Sequence, residues 1–392
     1  MAKEKSIFIP YGKQNITKKD IDSVVKVLKS PLITQGPVVS LFEKKLSKRL
    51  NAKHVVAVNS ATSALHIACL AIGLQKGDRL WTSPNTFVAS ANCGLYCDAS
   101  VDFVDINPKT GLLDTNSLKA KLEWAKNCGK LPKVVVPVHL TGSSCDMKVI
   151  GELAKIYNFY VIEDASHAIG GKFNKKEVGS CEYSDICVFS LHPVKIITTG
   201  EGGLATTNNK ILSQKMYDLR SHGITKDFKR FKFDPKGPWS YEQQALGFNF
   251  RMTDFQAALG ISQLKRLDSI ISERNKQYKL YKNLLKDLPV YLLEIEDSVL
   301  SSVHLAVIRL KEDDVELHRN LFNSLRNNGI WVQIHYTPVH LQPYYRDLGF
   351  KEGDFPKAES YAKSAISLPL YPGLKIKEMK YVVKTIKEAL NV

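Results

Sequence analysis

The sequence of 392 residues has no uninterrupted apolar run of the ~18 residues that a membrane-spanning helix needs. Its first fourteen residues, MAKEKSIFIPYGKQ, carry charges but no long apolar stretch before a small-residue cleavage site. No secretory signal is read there, and a cytoplasmic protein is expected. Cysteine is sparse: seven residues, an odd number, dispersed and without a CxxC pair. Neither a disulfide framework nor a zinc or other metal site is expected, and several of these thiols lie in apolar runs as small core residues. There is no internal repeat and no low-complexity tract. Acidic residues are fewer than basic ones, 39 against 55, for a net charge of +16. The lysines and arginines are nevertheless spread among acids, with no basic arm or recognition-helix pattern. Nucleic-acid binding is not expected, whereas a diffuse positive field suits an anionic small substrate such as a nucleotide diphosphate.

What is present is an alternation of apolar β-rich runs with helical patterns. Strands are expected at 55–59, 80–83, 102–106, 134–140, 159–163, 186–191 and 203–207, with helices at 60–74 and 148–158. Near-continuous apolar strands between helices predict a mostly parallel sheet covered on both faces. After about residue 265 the pattern changes: a helix at 268–286, a strand at 302–310, a helix at 315–328, a strand at 331–336 and a helix at 377–390. The chain therefore divides into a large domain, 1–265, and a smaller α+β domain, 266–392. Residues 226–245 read as a surface loop.

Two residues at strand ends stand out. Asp164 closes the run Val161–Asp164, where α/β folds place ligands. Lys195 follows the run Phe189–Leu191 and the break at Pro193, ahead of the glycine-rich reversal Thr198–Gly203. A lysine amine and a carboxylate together suit pyridoxal 5'-phosphate (PLP), which needs an amine to bond its carbonyl carbon and an acid to keep its ring nitrogen protonated. A helix N-terminus with small hydroxyl residues, Ser60-Ala61-Thr62-Ser63, could hold the phosphate, with Ser190 as a further hydroxyl. Phe87 could cover the ring.

In these stretches the chain resembles the DegT/DnrJ/EryC1/StrS sugar aminotransferases. The matching segments are Asn59–Leu65 (NSATSAL), Pro84–Ala91, Pro137–Gly142 (PVHLTG), Glu163–Ala168 (EDASHA), Phe189–Gly203, Gly247–Gly260, Gln333–Pro338 (QIHYTP) and Ser367–Pro372. Ala61 stands where many members have glycine, a change that barely affects a backbone contact. The resemblance implies an α/β fold of PLP type I, with a seven-stranded, mostly parallel sheet and a smaller C-terminal α+β domain. It implies a PLP/PMP cofactor, with Lys195 bonded to it and moving the proton, Asp164 on the ring nitrogen, and His167 beside the ring. Ala61, Thr62, Ser63 and Ser190 would bind phosphate. Asn249, with Arg251 nearby, would reach the site of a second subunit, so a homodimer with shared active sites is implied. Related dehydratases carry histidine at the lysine position, so Lys195 favours transamination.

The stretches Leu32–Pro37, NSATSAL, Leu219–Lys226 and Gln333–Pro338 are most similar to the pseudaminic-acid branch of the family. That likeness implies UDP-2-acetamido-2,6-dideoxy-β-L-arabino-hex-4-ulose as substrate and L-glutamate as amino donor. Tyr11, Pro31, Leu32, Ile33, Thr34, Ser190, Asn249, Arg251, His335 and Tyr336 would line the sugar-nucleotide site. Three alternatives stay open. One is another nucleotide-sugar 4- or 3-aminotransferase, of the UDP-bacillosamine or dTDP-sugar type. Another is an amino-acid aminotransferase anchoring a carboxylate on Arg309, Arg319, Arg326 or Arg346. The last is a non-catalytic ligand or nucleic-acid binder.

Overall fold

The apolar runs of the first half meet in one seven-stranded sheet in a computed structural model that describes residues 8–392. Across the sheet the strands are His54–Val58, Gly203–Thr207, Ile186–Ser190, Tyr160–Asp164, Val134–Val136, Arg79–Thr82 and Ser100–Phe103. Neighbours run parallel except around Gly203–Thr207, which is antiparallel to both of its partners. Strands such as Ile186–Ser190 and Gly203–Thr207 are buried at every position, as expected of a sheet with helices on both faces.

The C-terminal part carries a three-stranded antiparallel sheet, Val290–Leu292, Ala306–Leu310 and Ala365–Leu368. The helices Leu267–Leu285, Val315–Asn327 and Ile376–Ala389 belong to the same part, and residues of all three join its core. Ile9 joins that core too, bridged to Ile330, so the start of the described chain packs with its last third. No helix among the described residues is long and apolar enough to cross a membrane.

Several boundaries differ from expectation. The run 134–140 stops as a strand at Val136. Pro137 has no N–H for the ladder, and a 3-10 turn follows at Leu140–Gly142 with Thr141 at φ 61°. The run 102–106 pairs earlier, as Ser100–Phe103. Strand 302–310 begins only at Ala306, because Val303 sits at φ 47° and His304 donates its N–H to Thr141 O instead of to a ladder. Residues 331–336 form no strand: the Trp331 N–H donates to Ile9 O at 2.8 Å, and Gln333 makes an isolated bridge to Ser367. The loop 226–245 is exposed over most of its length, with only a 3-10 turn at Phe228–Arg230 and a two-residue ladder, Ile224–Thr225 with Glu242–Gln243.

Candidate active site

The carboxyl ends of two neighbouring strands and the N-terminus of the helix Ala61–Ile72 open on one cavity of about 570 Å³. Asp164 ends one strand and is buried. Its carboxylate is held from two sides: the Ser90 hydroxyl donates to Oδ2 at 2.5 Å, and the Ser166 N–H donates to Oδ1 at 3.1 Å.

Lys195 follows the adjacent strand Ile186–Ser190. The turn between them closes when the Lys195 N–H donates to His192 O at 2.9 Å. The returning loop is tied to Leu191, whose carbonyl accepts from the Thr198 hydroxyl at 2.9 Å and the Thr199 N–H at 3.0 Å. Burial pulls the Lys195 amine down to about 8, and the nearby Asp164 charge opposes that fall. At pH 7 about a tenth of such an amine is neutral, a far larger share than at the ordinary lysine value, so it serves more readily as a base or nucleophile.

Ser60 caps the third element, its oxygen accepting the Ser63 N–H at 3.1 Å. The Ala61 and Thr62 N–H groups have no partner among the described residues, and both residues line the cavity. Two free N–H groups at the positive end of a helix make an anion site. A glycine at 203 permits this packing. Any Cβ there would stand 2.2 Å from Ser60 O and 2.5 Å from the Ala61 nitrogen.

Histidines and aromatic residues complete the wall. His167, His304 and His335 all line it. Burial first, and the Lys195 charge after it, push His167 well below the ordinary histidine value and His335 down to about 4. His304 is also driven well below, by burial and then by its His167 and Lys195 neighbours. All three rings are therefore neutral near pH 7. His335 Nδ1 meets Ser367 Oγ at 2.8 Å, and the Tyr361 hydroxyl donates to His335 O at 3.0 Å. Tyr11 lies against His335, and Phe87 faces Tyr336 from the rim, more than half exposed.

Of the residues singled out in the sequence, Tyr11, Ala61, Thr62, Phe87, Asp164, His167, Ser190, Lys195, His335 and Tyr336 share this cavity. Ser63 does not: it is buried in the helix, and its hydroxyl donates to Asn59 Oδ1 at 2.7 Å. Pro31, Leu32, Ile33 and Thr34 are exposed and off the wall. Asn249 is exposed, and Arg251 is half-buried. Their segment adjoins the cavity through Asn59, whose N–H donates to Phe250 O at 2.9 Å. None of Arg309, Arg319, Arg326 and Arg346 reaches the wall, and Arg309 is engaged by Ser364, Ser360 and Pro108 O.

Sequence reading missed Ser90, Thr86, Tyr361 and His304. Ser90 and Thr86 were within reach, since both flank Phe87 in the Pro84–Ala91 stretch. His304 had no local signal.

The site has the donors that PLP needs. An amine, a carboxylate on the neighbouring strand, free helix N–H groups and an unpartnered buried nitrogen, His167 Nδ1, all belong to residues of one cavity.

The profile of the DegT/DnrJ/EryC1/StrS aminotransferase family matches residues 14–387. The UDP-4-amino-4,6-dideoxy-N-acetyl-beta-L-altrosamine transaminase of Campylobacter jejuni is 39% identical over 384 residues, covering 98% of this chain and 98% of the relative. Among solved structures, Helicobacter pylori PseC is described as an aminotransferase involved in the biosynthesis of pseudoaminic acid. It superposes with a TM-score of 0.90 at 30% identity, over 98% of this chain and 100% of that one. The PLP form of Spr1654 from Streptococcus pneumoniae follows at 0.88 and 28% identity, over 98% and 99%.

Proposed function

The chain belongs to the DegT/DnrJ/EryC1/StrS aminotransferase family, and on that premise we propose that it moves an amino group from L-glutamate to C4 of UDP-2-acetamido-2,6-dideoxy-β-L-arabino-hex-4-ulose. The product would be UDP-4-amino-4,6-dideoxy-N-acetyl-β-L-altrosamine, the compound in the name of the Campylobacter jejuni relative. The enzyme is an aminotransferase, and its cofactor is PLP. The observation that carries the reading is that Asp164, at the end of one strand, and Lys195, on the turn after the adjacent strand, face one cavity.

When bound, PLP supplies an electron-withdrawing ring that stabilises negative charge at the reacting carbon. The N–H groups of Ala61 and Thr62, with the Thr62 and Ser190 hydroxyls, would hold the phosphate. Asp164 would keep a proton on the ring nitrogen, its own orientation set by Ser90 and Ser166. His167 would lie beside the ring as a neutral imidazole. The Lys195 amine, made a weaker base by burial, would take the proton from Cα of glutamate at Nζ and later deliver one to C4 of the sugar. Tyr336 and Phe87 would narrow the mouth and keep water from the reacting atoms.

The sugar nucleotide would lie against Tyr11, His335 and Tyr336, with Pro31–Thr34 further out. A homodimer is part of this reading. The exposure of Asn249, on a segment adjoining Asn59, supports its serving the site of a second copy, with Arg251 beside it. Arg309, Arg319, Arg326 and Arg346 all stay off this wall, which speaks against their anchoring the carboxylate of an amino-acid substrate.

The test is the visible spectrum of the purified protein, followed as glutamate and then the 4-keto UDP-sugar are added, beside Lys195→Ala. Bleaching by glutamate, recovery with the sugar and formation of the amino sugar support the full reading. A yellow protein that bleaches but ignores this sugar points to another nucleotide-sugar 4- or 3-aminotransferase. A colourless protein that takes up no PLP overturns the assignment of Lys195.

A further inference from the structure

His304 has no part in the roles given above, yet its side chain forms a wall of the cavity. Its ring centroid is 4.4 Å from that of His167, with the planes tilted by 46°. Both residues are buried, and the Nδ1 atom of each has no hydrogen-bond partner. A buried ring that no hydrogen bond anchors keeps its rotamer through packing alone. For His167, the aromatic ring packed against it is that of His304.

The backbone beneath His304 is fixed on several sides. Its N–H donates to Thr141 O at 2.7 Å, and its carbonyl accepts from Arg274 Nη1 at 3.2 Å. Gly142, at φ 96°, presses so close that a Cβ would stand 3.0 Å from the His304 nitrogen and 2.9 Å from His167 O. The Ser302 hydroxyl also reaches His167 O at 3.4 Å. The backbones that carry the two rings are thus both held, and the plane of the His167 ring rests on its packing against His304. Both imidazoles are neutral, so the contact is ring on ring without a cation.

We propose that His304 is a positioning residue for the cofactor: its ring sets the plane of His167, and His167 presents that plane to the pyridine ring of PLP. The proposal rests on the PLP reading above and concerns a residue from the C-terminal part of the chain.

The experiment is an equilibrium titration of the cofactor-free protein with PLP, read by the absorbance of the bound cofactor, with thermal melts alongside. Wild type, His304→Ala, His304→Phe and His304→Gln are compared. His304→Ala is expected to weaken PLP binding about three- to tenfold, the scale of a lost aromatic pair, and to shift the visible band. His304→Phe, which keeps a flat ring without nitrogen, is expected to restore both, and His304→Gln is not. An unchanged His304→Ala protein overturns the inference. So does rescue by glutamine but not by phenylalanine, since the nitrogen would then matter and the ring plane would not. If the alanine variant fails to fold, the phenylalanine and glutamine variants still decide. A wild type that takes up no PLP defeats the aminotransferase reading and this inference together. A wild type that binds PLP, with variants outside the expected pattern, defeats the inference alone.

Discussion

The Ser90 hydroxyl donates to Asp164 Oδ2 at 2.5 Å, with both side chains buried and Thr86 Oγ1 2.7 Å from the same hydroxyl. Ser90 stands on the short helix Ala89–Leu95, separate from the strand that ends in Asp164, so the carboxylate is braced across two elements. Ser90→Ala is expected to cost about 1 kcal/mol of stability. It should slow the half-reaction with glutamate by roughly fivefold, as the carboxylate gains freedom. Urea unfolding and stopped-flow absorbance check the two effects; an unchanged rate would mean that Ser166 alone orients Asp164.

Lys195 makes stability depend on pH. Its amine falls from 10.5 to about 8 because burial penalises the charged form. The folded protein therefore loses this proton before the unfolded chain does. Between those values the unfolded state binds more protons, so stability rises with pH, while below about 8 the burial penalty is fully present. Lys195→Met is expected to stabilise the cofactor-free protein at neutral pH by roughly 2 kcal/mol, a figure reduced for the residue's partial solvent access. The gain should fade as the pH approaches the ordinary lysine value. Urea titrations at neutral and strongly alkaline pH check this, and an equal gain at both would contradict desolvation of the amine. The rate at which Lys195 captures PLP should rise with pH and level off above about 8.

Thr62 and Ser63 are neighbours with different prospects. Thr62 lines the cavity beside free N–H groups, whereas the Ser63 hydroxyl is committed to Asn59. Thr62→Ala is expected to weaken PLP binding by about tenfold, the loss of one hydrogen bond to a charged phosphate. Ser63→Ala should change PLP affinity little and lower the melting temperature instead. Parallel PLP titrations and melts separate the two residues; equal losses of affinity would place both on the phosphate.

Asp254, fully buried at the start of the helix Asp254–Leu264, holds the segment before the helix Pro37–Leu50. Its Oδ2 accepts the Gly36 N–H at 2.5 Å, its Oδ1 accepts the Val39 N–H at 2.9 Å, and its own N–H donates to Ile33 O at 3.0 Å. Asp254→Ala leaves two N–H groups without their acceptor and is expected to destabilise the protein by about 2–3 kcal/mol. If Pro31–Thr34 contact the sugar nucleotide, Asp254→Asn should raise KM for the keto-sugar more than it lowers kcat. Denaturant unfolding and steady-state kinetics check these outcomes.

Where the sequence was legible, the signals were local. The run 186–191 reads as a strand because it is a short apolar stretch with β-branched and aromatic residues, and it appears as Ile186–Ser190. The helix after residue 60 announces itself by its Ser60 cap. Residues 331–336 misled for the same reason. Their β-branched residues favour extension, but a strand needs one partner along its whole length, and here Trp331 bonds to Ile9 while Gln333 bridges to Ser367.

By itself, then, the sequence determined the alternation of strands and helices, the strand ends that carry Asp164 and Lys195, and the helix start at Ala61, because periodicity, capping and glycine-rich reversals act over a few residues. Only the tertiary structure decided what meets at those ends. It inserted Gly203–Thr207 antiparallel between two strands, brought Ser90 to Asp164 and laid His304 on His167. Each of these joins residues far apart in the chain. Whether they meet depends on how whole elements pack, which no short window of sequence encodes.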